Sequence, residues 1–262
     1  MIQNEHSVYN QPSVYNQGGG GGSFTVDLGG GVSQELTFPP YLVPVEYIDT
    51  SDYTGTYFGI KGIWQAELDT ANDNFTAKIA YDVNKVTSND RAMCTALPSP
   101  QTGYNSTILF NARPNKTILL YYASIQNDIN GPNLHVDDYV LVKYKGATKQ
   151  LLVTDGFGNS SSHVSNQGHT VVKNGSWTFF GDSPSSPQYP FHGKIFYSYI
   201  ENGGRIKALW VPARMKDAGN TQPYIVECVS GVVGINWSNN WSTSGISFGP
   251  DIDLSDIGNY FQ

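Results

Sequence analysis

Charge is scarce in this chain, cysteine is nearly absent, and no apolar run is long. Only 14% of the 262 residues are Asp, Glu, Lys or Arg, and the formal net charge is -7. The 15 Lys and Arg residues are scattered, without the basic stripe that neutralises phosphates, so nucleic-acid binding is disfavoured. Nothing approaches the roughly 18 to 20 consecutive apolar residues of a membrane span. Residues 1–10 are polar and lack the charged-then-apolar order of a secretory leader. The expectation is a soluble chain not exported by the usual route. Cys94 and Cys228 are too few for a disulfide framework and are expected as free, buried thiols. Strong helix formers are also thin, which argues against an all-helical fold.

What is abundant is strand and turn material. Aromatics make up 13%, with 17 Tyr, beside 28 Gly. Apolar, aromatic and β-branched segments recur at 43–48, 57–64, 75–81, 107–110, 117–122, 139–144, 151–153, 170–172, 177–180, 194–200, 206–211 and 224–229. Asn130-Gly131, Asp155-Gly156, Asn174-Gly175 and Asn202-Gly203 suit tight hairpins between them. In 193–214 two apolar segments flank the Asn202-Gly203 turn, and Pro212 is expected to stop the second. Many short strands without a helical period predict an all-β, two-sheet antiparallel sandwich, and the length suits one main core. Loops near 97–104, 156–168 and 181–190 are surface candidates for recognition. Trp64, Trp177 and Trp210 lie in strands and are expected to fill the core. The seven Asn-x-Ser/Thr sequons, at Asn74, Asn105, Asn115, Asn159, Asn174, Asn236 and Asn240, are read as products of an Asn- and Ser-rich composition.

The N-terminus repeats itself: Ser-Val-Tyr-Asn-Gln at 7–11 and again at 13–17, followed by five glycines at 18–22 and three more at 29–31. Poly-Gly has high chain entropy and behaves as a flexible tether. Val8, Tyr9, Val14 and Tyr15 are candidate anchors, since an extended segment can add a strand to a partner and place alternate side chains in pockets. Between the glycine runs, 24–28 alternates as a short strand does.

The run Leu-Val-Pro-Val-Glu-Tyr-Ile-Asp-Thr at 42–50, the polar turn 87–91, Lys-Asn-Gly at 173–175, and the block 191–200, Asn202-Gly203, 209–213 and Gly219, closed by 229–231 and Phe248-Gly249, follow one another in order. This order resembles the laminin-G-like, concanavalin A-like jelly-roll domains of phage virion proteins and gut-bacterial surface proteins. The resemblance covers about residues 41–250. It departs at Glu227, where that family commonly has Asp, and at 235–243, where Trp237 and Trp241 replace a small polar turn. It implies three parts: an extended anchor and Gly-rich tether at 1–40, a jelly-roll sandwich at 41–250, and a tail at 251–262.

Catalytic patterns are incomplete. Glu67-Leu68-Asp69 begins like the carboxylate strand of jelly-roll glucanases, but Ala71 and Asn72 stand where a partner carboxylate is needed. Gly245-Ile246-Ser247-Phe248-Gly249 matches a nucleophile elbow, yet no His follows it. No metal ligand set is assigned and no cofactor is expected. Calcium stays open through Asp251, Asp253 and Asp256 or Asp137 and Asp138, because jelly-roll rims hold such ions.

Sugar recognition pairs aromatic faces with a few amides or carboxylates. Tyr104 with Asn105, and Trp237 and Trp241 beside Asn236 and Asn240, offer that pairing in loops. With the resemblance, the implied protein is a non-enzymatic virion fibre or decoration appendage on the particle surface. It would be anchored to other virion proteins by its N-terminus, assemble as a homo-oligomer (a trimer in fibres), and contact host surface glycan, with no nucleic acid and no membrane insertion. A purely structural adaptor without ligand, and a bacterial cell-surface lectin, are the alternatives.

Overall fold

The computed structural model describes residues 22–28, 31–55, 58–62, 64, 66–85, 91–97, 108–113, 116–122, 125–130, 133–165, 171–172, 176–181, 191–217, 219, 221–236 and 243–261. The expected all-β antiparallel jelly-roll sandwich is what these residues form.

One hydrogen-bonded layer contains the strands Arg205–Met215, Gly193–Asn202, Asn74–Tyr81, Val140–Lys145, Gln150–Asp155 and Ser160–Val164, in that spatial order. The other contains Tyr224–Glu227, Val232–Asn236, Ile60–Gly62, Ser176–Phe179, Arg91–Leu97, Ile108–Arg113, Thr117–Tyr122 and Ile125–Asn130. Pairing of Arg205–Met215 with Tyr224–Glu227 joins the layers into one ring-like ladder. At its other end Ile125–Asn130 and Ser160–Val164 approach each other, with no ladder between them among the described residues. The ring is therefore a sheet folded double. The chain crosses between layers at nearly every long connection, which is the jelly-roll habit.

Alternation builds the core. On Asn74–Tyr81, Phe75, Ala77, Ile79 and Tyr81 face inward, as do Val140, Val142 and Tyr144 on the next strand and Leu151 and Val153 beyond it. Trp64, Trp177 and Trp210 are buried together as expected, with the Trp177 and Trp210 rings 4.7 Å apart and Phe75 stacked on Trp177. Each such ring contributes roughly 1.5–3 kcal/mol by leaving water. Gly62 and Gly234 leave room for Trp64, since a Cβ on either would lie 2.4 Å from its ring. Cys94 and Cys228 are buried and unpaired.

The outer face is covered as well where Arg205–Met215 and Tyr224–Glu227 join the two layers. The strands Gly22–Asp27 and Ser33–Phe38 form a hairpin that lays Phe24, Val26, Leu36 and Phe38 over Leu209, Val211, Val226 and Cys228. The C-terminal helix Ile257–Tyr260 adds Ile257 and Phe261 to the same cluster. Packing therefore crosses both sequence boundaries, at 40 and at 250, because the double-covered sheet needs these terminal segments to hide its second apolar face. A register shift at Phe196 lets Phe196 and the adjacent Tyr197 both join this outer cluster.

Several local expectations are corrected. Pro212 does not stop its strand, which runs on to Met215; its carbonyl accepts the Val45 N–H at 3.0 Å, and the missing donor is absorbed at this irregular edge. The expected strand 43–48 is two short ones, Leu42–Pro44 and Ile48–Asp49, separated by a bridge from Val45 to Asp251. Within the expected loop 156–168, Ser160–Val164 is an edge strand. The hairpin turn falls one residue later than the Asn202-Gly203 dipeptide: Asn202 pairs with Arg205 as the last strand residue, and Gly203 (58°) and Gly204 (82°) take the positive φ.

Candidate functional site

The hairpin turn at 203–204 and the turn at 69–73 stand side by side at one end of the sandwich, because Glu201 is in register with Asn74. Asp69 organises its turn: its carbonyl accepts the Asp73 N–H at 2.8 Å, and its carboxylate accepts the Ala71 N–H at 2.8 Å and the Asn72 amide at 2.7 Å. Glu201 accepts the Gly204 N–H at 3.0 Å and a short bond from the Asn74 amide, tying the two turns together.

Asp73 is the buried centre of this end, with a side chain 1% exposed. Oδ2 accepts the Asp69 N–H at 2.9 Å and Lys207 Nζ at 2.5 Å, and Oδ1 accepts the Asn202 amide at 3.1 Å. Lys207 Nζ lies 4.0 Å from Glu67 Oε1, beyond hydrogen-bond reach, and the Glu67 side chain is 42% exposed. Arg205, two residues before Lys207 on the same strand, lies at the exposed rim. Glu67, Arg205 and Lys207 line an open cleft of about 570 Å³ with Gln34, Ala66, Asn202, Ile206 and Val229, and Asp73 lies behind its wall.

Chemically the cleft is a set of hydrogen-bonding groups beside a small apolar patch, Ala66 and the 41% exposed Val229. It is a poor acid–base pair. Three donors occupy the Asp73 carboxylate, which is closed to solvent, so it has no free edge from which to exchange a proton with a ligand. Sequence reasoning singled out Glu67 and looked for a partner at 71 or 72. The neighbour comes instead from far along the chain, Lys207, which Asp73 holds in place. The recoverable signal was the pairing of Arg205 with Lys207 just after an Asn-Gly turn.

The proposed anchors Val8, Tyr9, Val14 and Tyr15, and the proposed sugar contacts Tyr104, Asn105, Trp237 and Trp241, lie outside the described residues. Among the calcium candidates, Asp251 is taken by Arg214 in a two-point ion pair (2.9 and 2.6 Å), and Asp253 accepts the Ser255 N–H and hydroxyl. Asp137 and Asp138 are exposed. Among the described residues no three His, Cys, Asp or Glu side chains gather as a metal site. Glu227, the departure from the jelly-roll pattern, is buried and accepts the N–H groups of Leu209, Val229 and Ser230, so it holds a turn. Ser247 sits on the short strand Ser247–Phe248, not at a strand-to-helix turn. At the opposite end of the sandwich, Phe157 is 69% exposed on a hairpin tip, 4.6 Å from the His135 ring.

No family model and no curated protein matches this chain. Among solved structures it is similar to a heptameric SAP-like pentraxin from Limulus polyphemus (10% identity, 59% of this chain and 74% of that one, TM-score 0.42). It is also similar to a candidate carbohydrate-binding protein from Bacteroides ovatus (10% identity, 81% and 63%, TM-score 0.46). A third likeness is to SCP-B, a member of the Eqolisin family of peptidases (10% identity, 70% and 98%, TM-score 0.35). At such scores none of the three assigns an activity.

Proposed function

We propose that the chain is a non-enzymatic appendage of a phage particle, tethered by its N-terminal segment and presenting the sandwich to neutral or charged glycan on a bacterial surface. The observation that carries this reading is the polarity of the domain. In the N-terminal hairpin Gln34 touches Ile206 at the cleft, Thr37 touches Cys228 further along, and Gly22 pairs with Phe38 beyond it. Gly22, the first described residue, thus lies at the end of the hairpin away from the cleft, the arrangement that suits an anchored reader. Occupation of Asp73 by three donors supports binding over hydrolysis. Many copies on one particle raise effective concentration and compensate for weak single sites; a homo-oligomer at the particle surface follows from the same reading.

Two measurements test it. Removal of residues 2–21 should abolish incorporation into particles while the isolated domain keeps its thermal midpoint. A glycan array with the full chain should return a restricted set of sugars. Incorporation without residues 2–21 would remove the anchor. An empty array would leave a structural adaptor, the second reading.

A further inference from the structure

Glu67 and Lys207 are spaced for something to come between them. Glu67 is an acceptor without a hydrogen bond among the described residues, and Lys207 spends one of its three N–H groups on Asp73. Their charged atoms are 4.0 Å apart, too far to bond directly and close enough for one oxygen to reach both. A hydroxyl is the group that both donates and accepts. A ligand carboxylate would meet Glu67, and a ligand ammonium would meet Lys207, so each charged ligand loses at one wall what it gains at the other.

We infer that this cleft reads an uncharged, hydroxyl-bearing ring, a neutral pyranoside, through one hydroxyl that donates to Glu67 and accepts from Lys207. The inference rests on the glycan-contact reading and narrows its ligand class. Asp73 and Asn202 act as positioning residues: the buried carboxylate fixes the Lys207 ammonium, and the Asn202 amide and the Asp69 N–H fix the carboxylate. Lys207 therefore enters the encounter already placed, which lowers the ordering entropy that a free lysine would lose on binding. Arg205 at the rim is within the same cleft to meet a neighbouring hydroxyl, and Val229 with Ala66 offers apolar surface to the ring's C–H face.

The test is calorimetric titration of the full chain with methyl glycosides of glucose, galactose and mannose, against glucuronic acid and glucosamine. A neutral glycoside should bind more tightly than either charged analogue. Glu67→Ala should weaken it about 10-fold or more, the scale of one hydrogen bond to a charged group. Glu67→Gln, which keeps shape and an acceptor, should fall between. Both variants should keep the wild-type melting temperature to within a few degrees, since the Glu67 side chain is half-exposed and makes no hydrogen bond among the described residues. If the array is positive but Glu67→Ala binds as the wild type, or a charged analogue is preferred, the inference falls and the glycan contact lies elsewhere. If the array is positive but no methyl glycoside binds, it falls likewise. An empty array overturns the broader reading with it.

Discussion

The Gln34 carboxamide completes the backbone of Ile206: the Ile206 N–H donates to Oε1 at 3.0 Å, and Nε2 donates to the Ile206 carbonyl at 3.1 Å. A side chain here does the work of a neighbouring strand at the free edge of Arg205–Met215, and it fastens the N-terminal hairpin to the wall of the cleft. Gln34→Ala should lower stability by about 1–3 kcal/mol, the range for leaving partly buried polar groups unmade. Urea unfolding checks it; a change within error would mean that water replaces the amide without loss.

The hairpin's packing sets a truncation boundary. The described outer cluster begins at Phe24, and on removal of residues 1–21 the melting temperature should hold. Removing 1–38 strips Phe24, Val26, Leu36 and Phe38 from Leu209, Val211 and Val226. Loss of four buried apolar side chains at roughly 1.5–3 kcal/mol each is comparable to the whole margin of an ordinary domain, about 5–15 kcal/mol. Insoluble or dye-binding protein is the expected outcome, and a well-folded 39–262 fragment would contradict the assignment of the hairpin to the domain.

Strands with strong side-chain signals were legible from sequence: Thr117–Tyr122 falls where its β-branched and aromatic residues place it, and a tight turn follows Asn202, with Gly203 and Gly204 rather than Asn202 and Gly203 at its centre. Ser160–Val164 was not, because Ser-Ser-Ser-His-Val has little strand character of its own and extends by pairing with Gln150–Asp155. The role of the termini was hidden for a related reason. Gly193–Asn202 carries apolar residues on both faces and is covered on both, but nothing local says that residues 22–38 and 257–261 supply the outer cover. At the cleft, the Glu67 carboxylate was visible and its environment was not: Asp73 follows a turn and Lys207 arrives through sheet register. Spacing along the chain does not encode that meeting.

Asp155 gives a pH signature. Burial raises its carboxyl pKa, but hydrogen bonds from the Asn159 side chain and from the His135, Asn159 and Phe157 N–H groups outweigh it and hold the value at about 2. In the unfolded chain the value is about 3.9. The folded state thus prefers the charged form, so the stabilisation is complete above about pH 4 and is lost as the pH falls through about 2. Asp155→Asn should be less stable than wild type at pH 7, and the gap should close between pH 4 and 2. A gap of equal size at pH 2 would show that shape, not charge, holds the 155–159 turn.

Lys78 decides how firmly the C-terminal segment is held. Its Nζ lies 4.4 Å from the Tyr139 ring centroid, 4.8 Å from Phe196 and 5.4 Å from Tyr260, so one ammonium joins the sheet to the terminal helix. Burial lowers its pKa, while Glu46 and Asp138 oppose that shift. Two contributions therefore compete: ring contacts worth about 0.5–2 kcal/mol, and a desolvation penalty on the charged form. Lys78→Met keeps an apolar stem over the rings while removing both, so its stability should stay within about 1 kcal/mol of wild type. Lys78→Ala also removes the stem and should fall further, with faster amide exchange confined at first to residues 257–261. Hydrogen exchange and urea midpoints on the pair separate the effects. If Lys78→Met falls as far as Lys78→Ala, the cation and not the stem fastens the helix.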